Sequence, residues 1–311
     1  MILTLEDPAL AARWCAEQRE RGQRLGFVPT MGALHEGHLS LIEAARSAND
    51  VVCCSVFVNP LQFNERSDYE RYPRQLATDA RLLDEAGCAL VFTGTLASFF
   101  PRELRADGSA DDSAGPRALR DPGPCAQGLE GDLRPGHFAG VATIVARLFE
   151  ITHPRYAYFG QKDYQQTLVV RDLARRLGFP EIVVCPTSRE PSGLARSSRN
   201  QLLSPDERER ATVLVRALRR ARDGWRAGLR EAAPLRETML PELALEGVRV
   251  EYAEVRDARR WTAREPGGAL TAAIALVAAR IGAVRLIDNL RLDEQEPEEK
   301  PRARGETEPG P

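Results

Sequence analysis

Apolar residues fall in two regimes along the chain. In the first 190 residues they come as short unbroken runs: "RLGFVPT" (Arg24–Thr30), "DVVCCSVFVN" (Asp50–Asn59), "ALVFTG" (Ala89–Gly94), "YAYFG" (Tyr156–Gly160) and "EIVVCPT" (Glu181–Thr187). Runs apolar on successive residues suit strands buried on both faces, where neighbouring side chains point to opposite sides. Between them lie segments with helical spacing: His38–Ser47, Leu76–Ala86, Phe138–Glu150 and Tyr164–Leu177. Strands alternating with helices predict an α/β fold, a parallel sheet with helices on both faces. Ligands of such sheets sit beyond the carboxyl ends of the strands.

After residue 189 the pattern changes. "SPDE" (Ser204–Glu207) reads as a capping box with proline at the first helical position, and Leu214, Leu218, Ala221 and Trp225 mark the apolar face of the following helix. A further helix is expected over Ala233–Leu245, then strands over Val248–Asp257, Ala269–Gly282 and Val284–Leu290. The alanine-rich middle run also suits a helix, but strand is the expectation. These elements predict a smaller α+β C-terminal domain. The boundaries expected are 1–187, 188–292 and a tail at 293–311, acidic and proline-rich, whose composition cannot bury a core and predicts disorder. The Gly-, Pro- and Asp-rich stretch Pro101–Gly136 reads as a long surface excursion with room for a short strand.

Composition narrows the classes. At 311 residues, 43% hydrophobic and a formal net charge of −2, the chain can bury a substantial core and lacks the basic excess of a nucleic-acid surface. No apolar run approaches the roughly 20 residues that cross a bilayer. The first residues carry no basic head before an apolar stretch, so no secretory signal is expected. Six cysteines without CxxC spacing read as reduced thiols of a cytoplasmic protein.

Two of only four histidines, His35 and His38, stand at the mouth of a strand–turn–helix. If the helix begins near Glu36–Gly37, both imidazoles lie on its first turn, beside unpaired backbone N–H groups and the positive end of the helix dipole. That place suits phosphate, to which imidazole N–H groups donate. Gly32 and Gly37 allow a tight turn and close approach of backbone to ligand. The competing expectation is structural: one histidine caps the helix and the other packs. Neither GxGxxG nor GxxxxGK[ST] occurs, so neither common glycine-rich loop explains a phosphate site.

HxGH after a first strand resembles the signature of the class I aminoacyl-tRNA synthetase-like nucleotidyltransferases, with a Rossmann-like doubly wound sheet. Arg189–Ser204 ("REPSGLARSSRNQLLS") then resembles their second motif, a mobile KMSKS-like loop. The likeness is closer still to the pantothenate synthetase (pantoate–β-alanine ligase) family. "VPTMGALHEGH", "VFVNPLQF", "YPR", "LRPGHFAGV", "FGQKDYQQ", "GLARSSRN" and "RLIDN" occur in that family's order, over roughly residues 1–292. The resemblance implies ATP-dependent condensation of (R)-pantoate with β-alanine through a pantoyl adenylate, releasing AMP and diphosphate, with Mg2+. It also implies a homodimer whose partners are these small molecules, not nucleic acid or membrane.

By the same resemblance Met31, Gly32, Ala33, Leu34, His35, Glu36, Gly37 and His38 line the ATP site, and His38 is the proton donor. Gly160, Gln161, Lys162 and Asp163 follow on the nucleotide side, with Lys162 reaching phosphate and Asp163 facing ribose hydroxyls or merely starting a helix. Ser188, Arg196, Ser197, Ser198 and Arg199 come from the loop, where hydroxyls and guanidinium grip the β- and γ-phosphates. Gln62, Gln166, Asn59 and Arg134 are expected against pantoate, with His137 beside them or capping a helix. Asp79 is a candidate magnesium ligand or an ordinary helix acid. The loop departs from the family, which commonly has Met, Asp and Val where Arg196, Ser192 and Ser188 stand. Arg196 adds a cation that either strengthens phosphate capture or alters loop closure. Rival readings are another nucleotidyltransferase of the superfamily and a catalytically impaired nucleotide-binding relative.

Overall fold

Each unbroken apolar run between residues 24 and 187 forms a strand of one parallel sheet. The computed structural model describes residues 1–64, 66–101, 116 and 118–294. The sheet contains β1 (Leu3–Leu5), β2 (Leu25–Thr30), β3 (Val51–Val56), β4 (Leu90–Phe92), β5 (Tyr156–Gly160) and β6 (Glu181–Cys185), in spatial order β1-β4-β3-β2-β5-β6. All its pairings are parallel. Its helices are α1 (Pro8–Glu20), α2 (Glu36–Ala48), α3 (Arg66–Arg71), α4 (Leu76–Glu85), α5 (Leu96–Phe99), α6 (Glu130–Leu133), α7 (His137–Thr152) and α8 (Tyr164–Leu177).

Alternation along the strands divides the core. Phe27 and Cys53 pack on the face covered by α1, α7 and α8, among Cys15, Phe149 and Leu173. Val28 and Cys54 pack on the other, among Ile42 of α2 and Leu83 of α4. The sheet is therefore doubly wound. The chain leaves β2 in one direction and returns to pair β5 on its other side, so a crevice opens beyond the ends of β2 and β5.

Three of the five runs stop short of their expected ends, at Val56, Phe92 and Cys185. The polar residues that follow turn away from the sheet. The short helices α3, α5 and α6 have no counterpart in the sequence reading, and neither do β1 and α1. β1 is a three-residue edge strand, and α1 buries only Pro8, Ala11, Cys15 and Gln18, too weakly apolar a stripe to show as a periodicity.

The C-terminal residues form a three-stranded antiparallel sheet, β7 (Val248–Asp257), β8 (Ala273–Ile281) and β9 (Val284–Arg291), with α9 (Pro205–Ala211), α10 (Val213–Arg226), α11 (Ala232–Glu237) and α12 (Leu240–Leu243). The alanine-rich run is the central strand, buried along nearly its whole length. Leu214, Leu218, Ala221 and Trp225 pack with it. The single helix expected over Ala233–Leu245 is two helices, because Pro241 has no N–H to continue α11. No strand occurs among the described residues of 101–136; a 3-10 turn (Pro124–Ala126) and α6 stand there instead. Residues 102–115 and the tail from 295 lie outside the described residues.

Candidate functional site

The turn after β2 is held from behind. Gly32 and Ala33 take positive φ (84° and 52°), and Asp79 of α4, fully buried, accepts from Ala33 N–H through Oδ2 (3.0 Å) and from Leu34 N–H through Oδ1 (2.9 Å). Burial pushes the Asp79 carboxyl above its usual value, and these two bonds oppose the rise. Both Asp79 oxygens anchor this turn, and the residue lies outside the lining of the main cleft.

Both histidines serve the start of α2. His35 is its N-cap, Nδ1 accepting from Gly37 N–H at 3.1 Å, while His38 Nδ1 accepts from His35 N–H at 3.3 Å. The capping expectation is thus met by the pair, not by one ring. An imidazole that accepts at Nδ1 carries its proton at Nε2 when neutral. Burial, then Lys162 and Arg196, pull His35 down to about 4, and burial and His35 pull His38 down to about 3. Both rings are therefore neutral near pH 7, with centroids 4.1 Å apart on the cleft wall.

Asn59 caps the 3-10 turn Pro60–Gln62, accepting from Leu61 N–H (3.2 Å), and its Nδ2 donates to Gln62 Oε1 (3.1 Å) and the Gly140 carbonyl (3.2 Å). Gln62 Nε2 reaches Met31 Sδ at 2.8 Å. His137 Nδ1 donates to the Gln62 carbonyl (2.8 Å), leaving Nε2 to accept from Arg134 Nη1 (3.2 Å); Arg134 Nη2 also reaches that carbonyl (3.2 Å). His137 is the first residue of α7, whose N-cap is Gly136, so it does not cap the helix. Burial, then Arg134, lowers His137 to about 4, and burial lowers Arg134 to about 10, leaving it a cation.

Beyond β5, Gly160, Lys162 and Asp163 line the cleft, and Lys162 Nζ lies 3.2 Å from Asp163 Oδ1. Burial pushes the Asp163 carboxyl up, but Lys162 and Arg199 outweigh it and hold it low. Asp163 stands at the N-cap position of α8, as the helix-start alternative has it, but makes no side-chain cap bond there. The loop after β6 crosses the cleft. Ser197 accepts from Arg199 N–H (3.3 Å), Ser198 Oγ lies 3.4 Å from Tyr72 Oη, and Arg199 pairs with Asp68 at 3.0 Å.

One cleft of about 260 Å³ joins these pieces: Met31, His35, Gly37, His38, Asn59, Gln62, Arg134, Gly160, Lys162, Asp163, Gln166, Ser188, Arg196, Ser197, Ser198 and Arg199 all line it. Of the residues expected there, Gly32, Ala33, Leu34, Glu36, Gln161 and Asp79 do not. Ala33 and Leu34 are buried behind the turn, Glu36 pairs with Arg196, and Gln161 offers its carbonyl to Asn289 Nδ2 at 2.9 Å.

Sequence reasoning assigned no role to Asn289, which also holds the Lys162 carbonyl (2.8 Å), or to Asp288, which pairs with Arg189 at the loop base (2.7 Å). Tyr72 and Glu130 also line the cleft unassigned. The quoted strings "RLIDN" and "YPR" contain three of these four, but spacing alone gives them no chemistry. Among the described residues no group of three or more His, Cys, Asp or Glu is placed to hold a metal ion.

Comparison with known proteins accords with this architecture. The family model described as Pantoate-beta-alanine ligase matches residues 4–291. A pantothenate synthetase of Rubrobacter xylanophilus is 48% identical over 285 residues, 91% of this chain and 94% of that protein. The crystal structure of pantothenate synthetase from Thermus thermophilus superposes with a TM-score of 0.83 at 42% identity, covering 94% of this chain and 99% of that one. A pantoate-beta-alanine ligase from Francisella tularensis, complexed with beta-gamma ATP and beta-alanine, matches at 33% identity and a TM-score of 0.74, covering 95% and 99% of the two chains. With nearly the whole chain matched in sequence and in fold, this protein belongs to the pantoate–β-alanine ligase family.

Proposed function

We propose that this chain ligates pantoate to β-alanine at the cost of ATP, through a pantoyl adenylate. A pantoate carboxylate oxygen attacks the α-phosphorus and diphosphate leaves. The amine nitrogen of β-alanine then attacks the acyl carbon, loses a proton, and AMP leaves. A carboxylate is already a nucleophile at neutral pH, so the first step asks for alignment and charge stabilisation rather than a covalent residue.

The observation that carries the reading is the convergence of two chemically different sets of side chains on one cleft. In one set, His35, His38, Lys162, Ser197, Ser198 and Arg199 are N–H and O–H donors suited to a triphosphate. In the other, Asn59, Gln62, Gln166 and Arg134 suit a hydroxyl-bearing carboxylate. Because His35 and His38 are neutral with Nδ1 already accepting, their part is hydrogen-bond donation from Nε2–H; His38 donates to the phosphates without being an imidazolium acid. Lys162 and Arg199 supply the formal positive charge.

Magnesium belongs to the reading only as an ion carried on the phosphate oxygens, completed by water. Residues 1–187 hold the nucleotide and pantoate, and 188–292 act as a lid bearing the loop. A cytoplasmic homodimer completes the reading and rests on the family resemblance alone.

Purified protein given ATP, pantoate and β-alanine releases AMP and pantothenate in equal amounts. AMP release that is no greater with pantoate than without it refutes the assignment.

A further inference from the structure

Arg196 sits in the loop that crosses the cleft and lines it, and its guanidinium is already engaged by protein partners. Its Nη2 lies 2.5 Å from Glu36 Oε2, and its Nε donates to the Arg189 carbonyl at 3.1 Å. Its backbone N–H is fixed by the Ser188 carbonyl at 2.9 Å, beside the bridge between Arg189 and Ala195. Glu36 is the first residue of α2, between the two histidines, and its carboxylate stands at the positive end of that helix. The pair therefore ties the base of the loop to the mouth of α2. Ser197, Ser198 and Arg199 follow directly in the chain and reach Tyr72 and Asp68 on the far side.

We propose that Glu36 and Arg196 form a latch that docks the loop before nucleotide arrives, making Arg196 a positioning residue rather than a phosphate ligand. This deepens the ATP-site reading above and rests on it for its purpose, though not for its test. The latch sets the direction in which the next three side chains enter the cleft. It also neutralises Glu36, which would otherwise repel a triphosphate at the helix mouth. With Glu36 46% exposed, the pair stabilises the docked loop modestly, worth roughly a two- to fivefold shift in the docked population.

The test is limited trypsin digestion of the nucleotide-free full-length protein, following cleavage after Arg199 in wild type, Glu36→Gln, Arg196→Met and the double variant. Where opening is fast relative to cleavage, the cleavage rate tracks the open population. Each single variant is expected to be cut roughly two- to fivefold faster than wild type, the double variant no faster than either, and Arg196→Lys intermediate. A rise of ionic strength to about 1 M should bring wild type towards the variants, since an exposed pair is screened. Unchanged cleavage in Glu36→Gln overturns the latch, as does a double variant whose effect is the product of the two singles. Circular dichroism of Glu36→Gln with an unaltered melting temperature confirms that α2 is intact; if it melts lower, Arg196→Met against Arg196→Lys decides, and equal cleavage of those two overturns the latch. Failure of the ligase reading would appear separately, as wild-type protein that releases no AMP.

Discussion

Replacing Arg285 with methionine should destabilise the protein far more than a surface arginine would. Arg285 on β9 sends Nη1 and Nη2 to Glu130 Oε2 and Oε1 (2.9 and 2.7 Å) and Nε to Glu251 Oε2 (2.6 Å). Tyr252 donates a further bond to Glu130 Oε1 at 2.9 Å. Glu130 is 6% exposed and lines the cleft; burial pushes its carboxyl up, and Arg285 more than reverses this. The network joins the parallel sheet's cleft wall to the antiparallel sheet.

Without Arg285 the carboxylate keeps Tyr252 and Arg134, the latter 3.8 Å away. Removing one partner of a buried pair costs roughly 3–5 kcal/mol. At roughly 2 °C per kcal/mol for a chain of this size, the melting temperature should fall by roughly 6–10 °C. In wild type the folded pKa of Glu130 is depressed, so its contribution is present above the ordinary glutamate pKa and lost as pH falls through the folded value. In Arg285→Met burial dominates and the folded pKa rises, so the sign reverses: the deficit should shrink as pH falls from about 8 to about 5 and Glu130 takes up a proton. Glu130→Gln added to Arg285→Met should recover part of the loss, because no buried carboxylate is left beside Tyr252, although Arg134 loses its partner. Differential scanning calorimetry at both pH values checks each point. A loss under about 1 kcal/mol, or a deficit that grows on acidification, refutes the claim that a buried ion pair holds the two sheets together.

Three further expectations concern the cleft. Asp79→Ala leaves the buried Ala33 and Leu34 N–H groups without their acceptor, at about 1–3 kcal/mol each, and should loosen the histidine turn; chemical denaturation and an ATP titration check it, and a loss under about 1 kcal/mol overturns the anchoring role. Gly140→Ala places a Cβ well inside contact distance of the Leu61 carbonyl oxygen, so α7 must move away from the turn bearing Gln62; KM for pantoate should rise at least tenfold with KM for ATP nearly unchanged, and the reverse pattern contradicts the placement. Because His35 and His38 titrate near 4 and 3, their protonation should appear in kcat/KM only below about pH 5; an acid limb near 6.5 that disappears in a His35→Asn variant refutes the neutral capping pair.

The double winding of the sheet was legible because its strands are apolar on successive residues, a pattern that needs no knowledge of partners. The same pattern hid β1 and α1, since Leu3–Leu5 is an edge strand and the buried stripe of α1 is mostly alanine, cysteine and glutamine side chains. For the site, residues grouped in one short string were found together, as with His35 and His38 or Ser197–Arg199. Contacts that close over long separations were not legible. Glu130 meets Arg285 across 155 positions, and Asp79 reaches Ala33 across 46. Nothing in "LATDARLL" distinguishes an acid that pins a backbone turn from one that holds a metal; only its burial and two N–H partners do.

The histidine pair shows why spacing posed the wrong choice. Read as a string, HxGH offered either a cap or a phosphate site, as though one ring could do only one of these. An imidazole has two nitrogens, and the cap uses one. Accepting from Gly37 and His35 N–H groups at Nδ1 fixes each neutral ring with its proton on Nε2. Burial then keeps both rings neutral, so neither repels Lys162 or Arg196 as an imidazolium would. The cap is thus what selects the tautomer able to donate to a phosphate. A residue that could cap but has no donor, such as ionised aspartate, would keep the helix and lose that hydrogen bond. This is why His35→Asp, which retains an acceptor for Gly37 N–H but has no donor, should preserve the fold while impairing ATP binding.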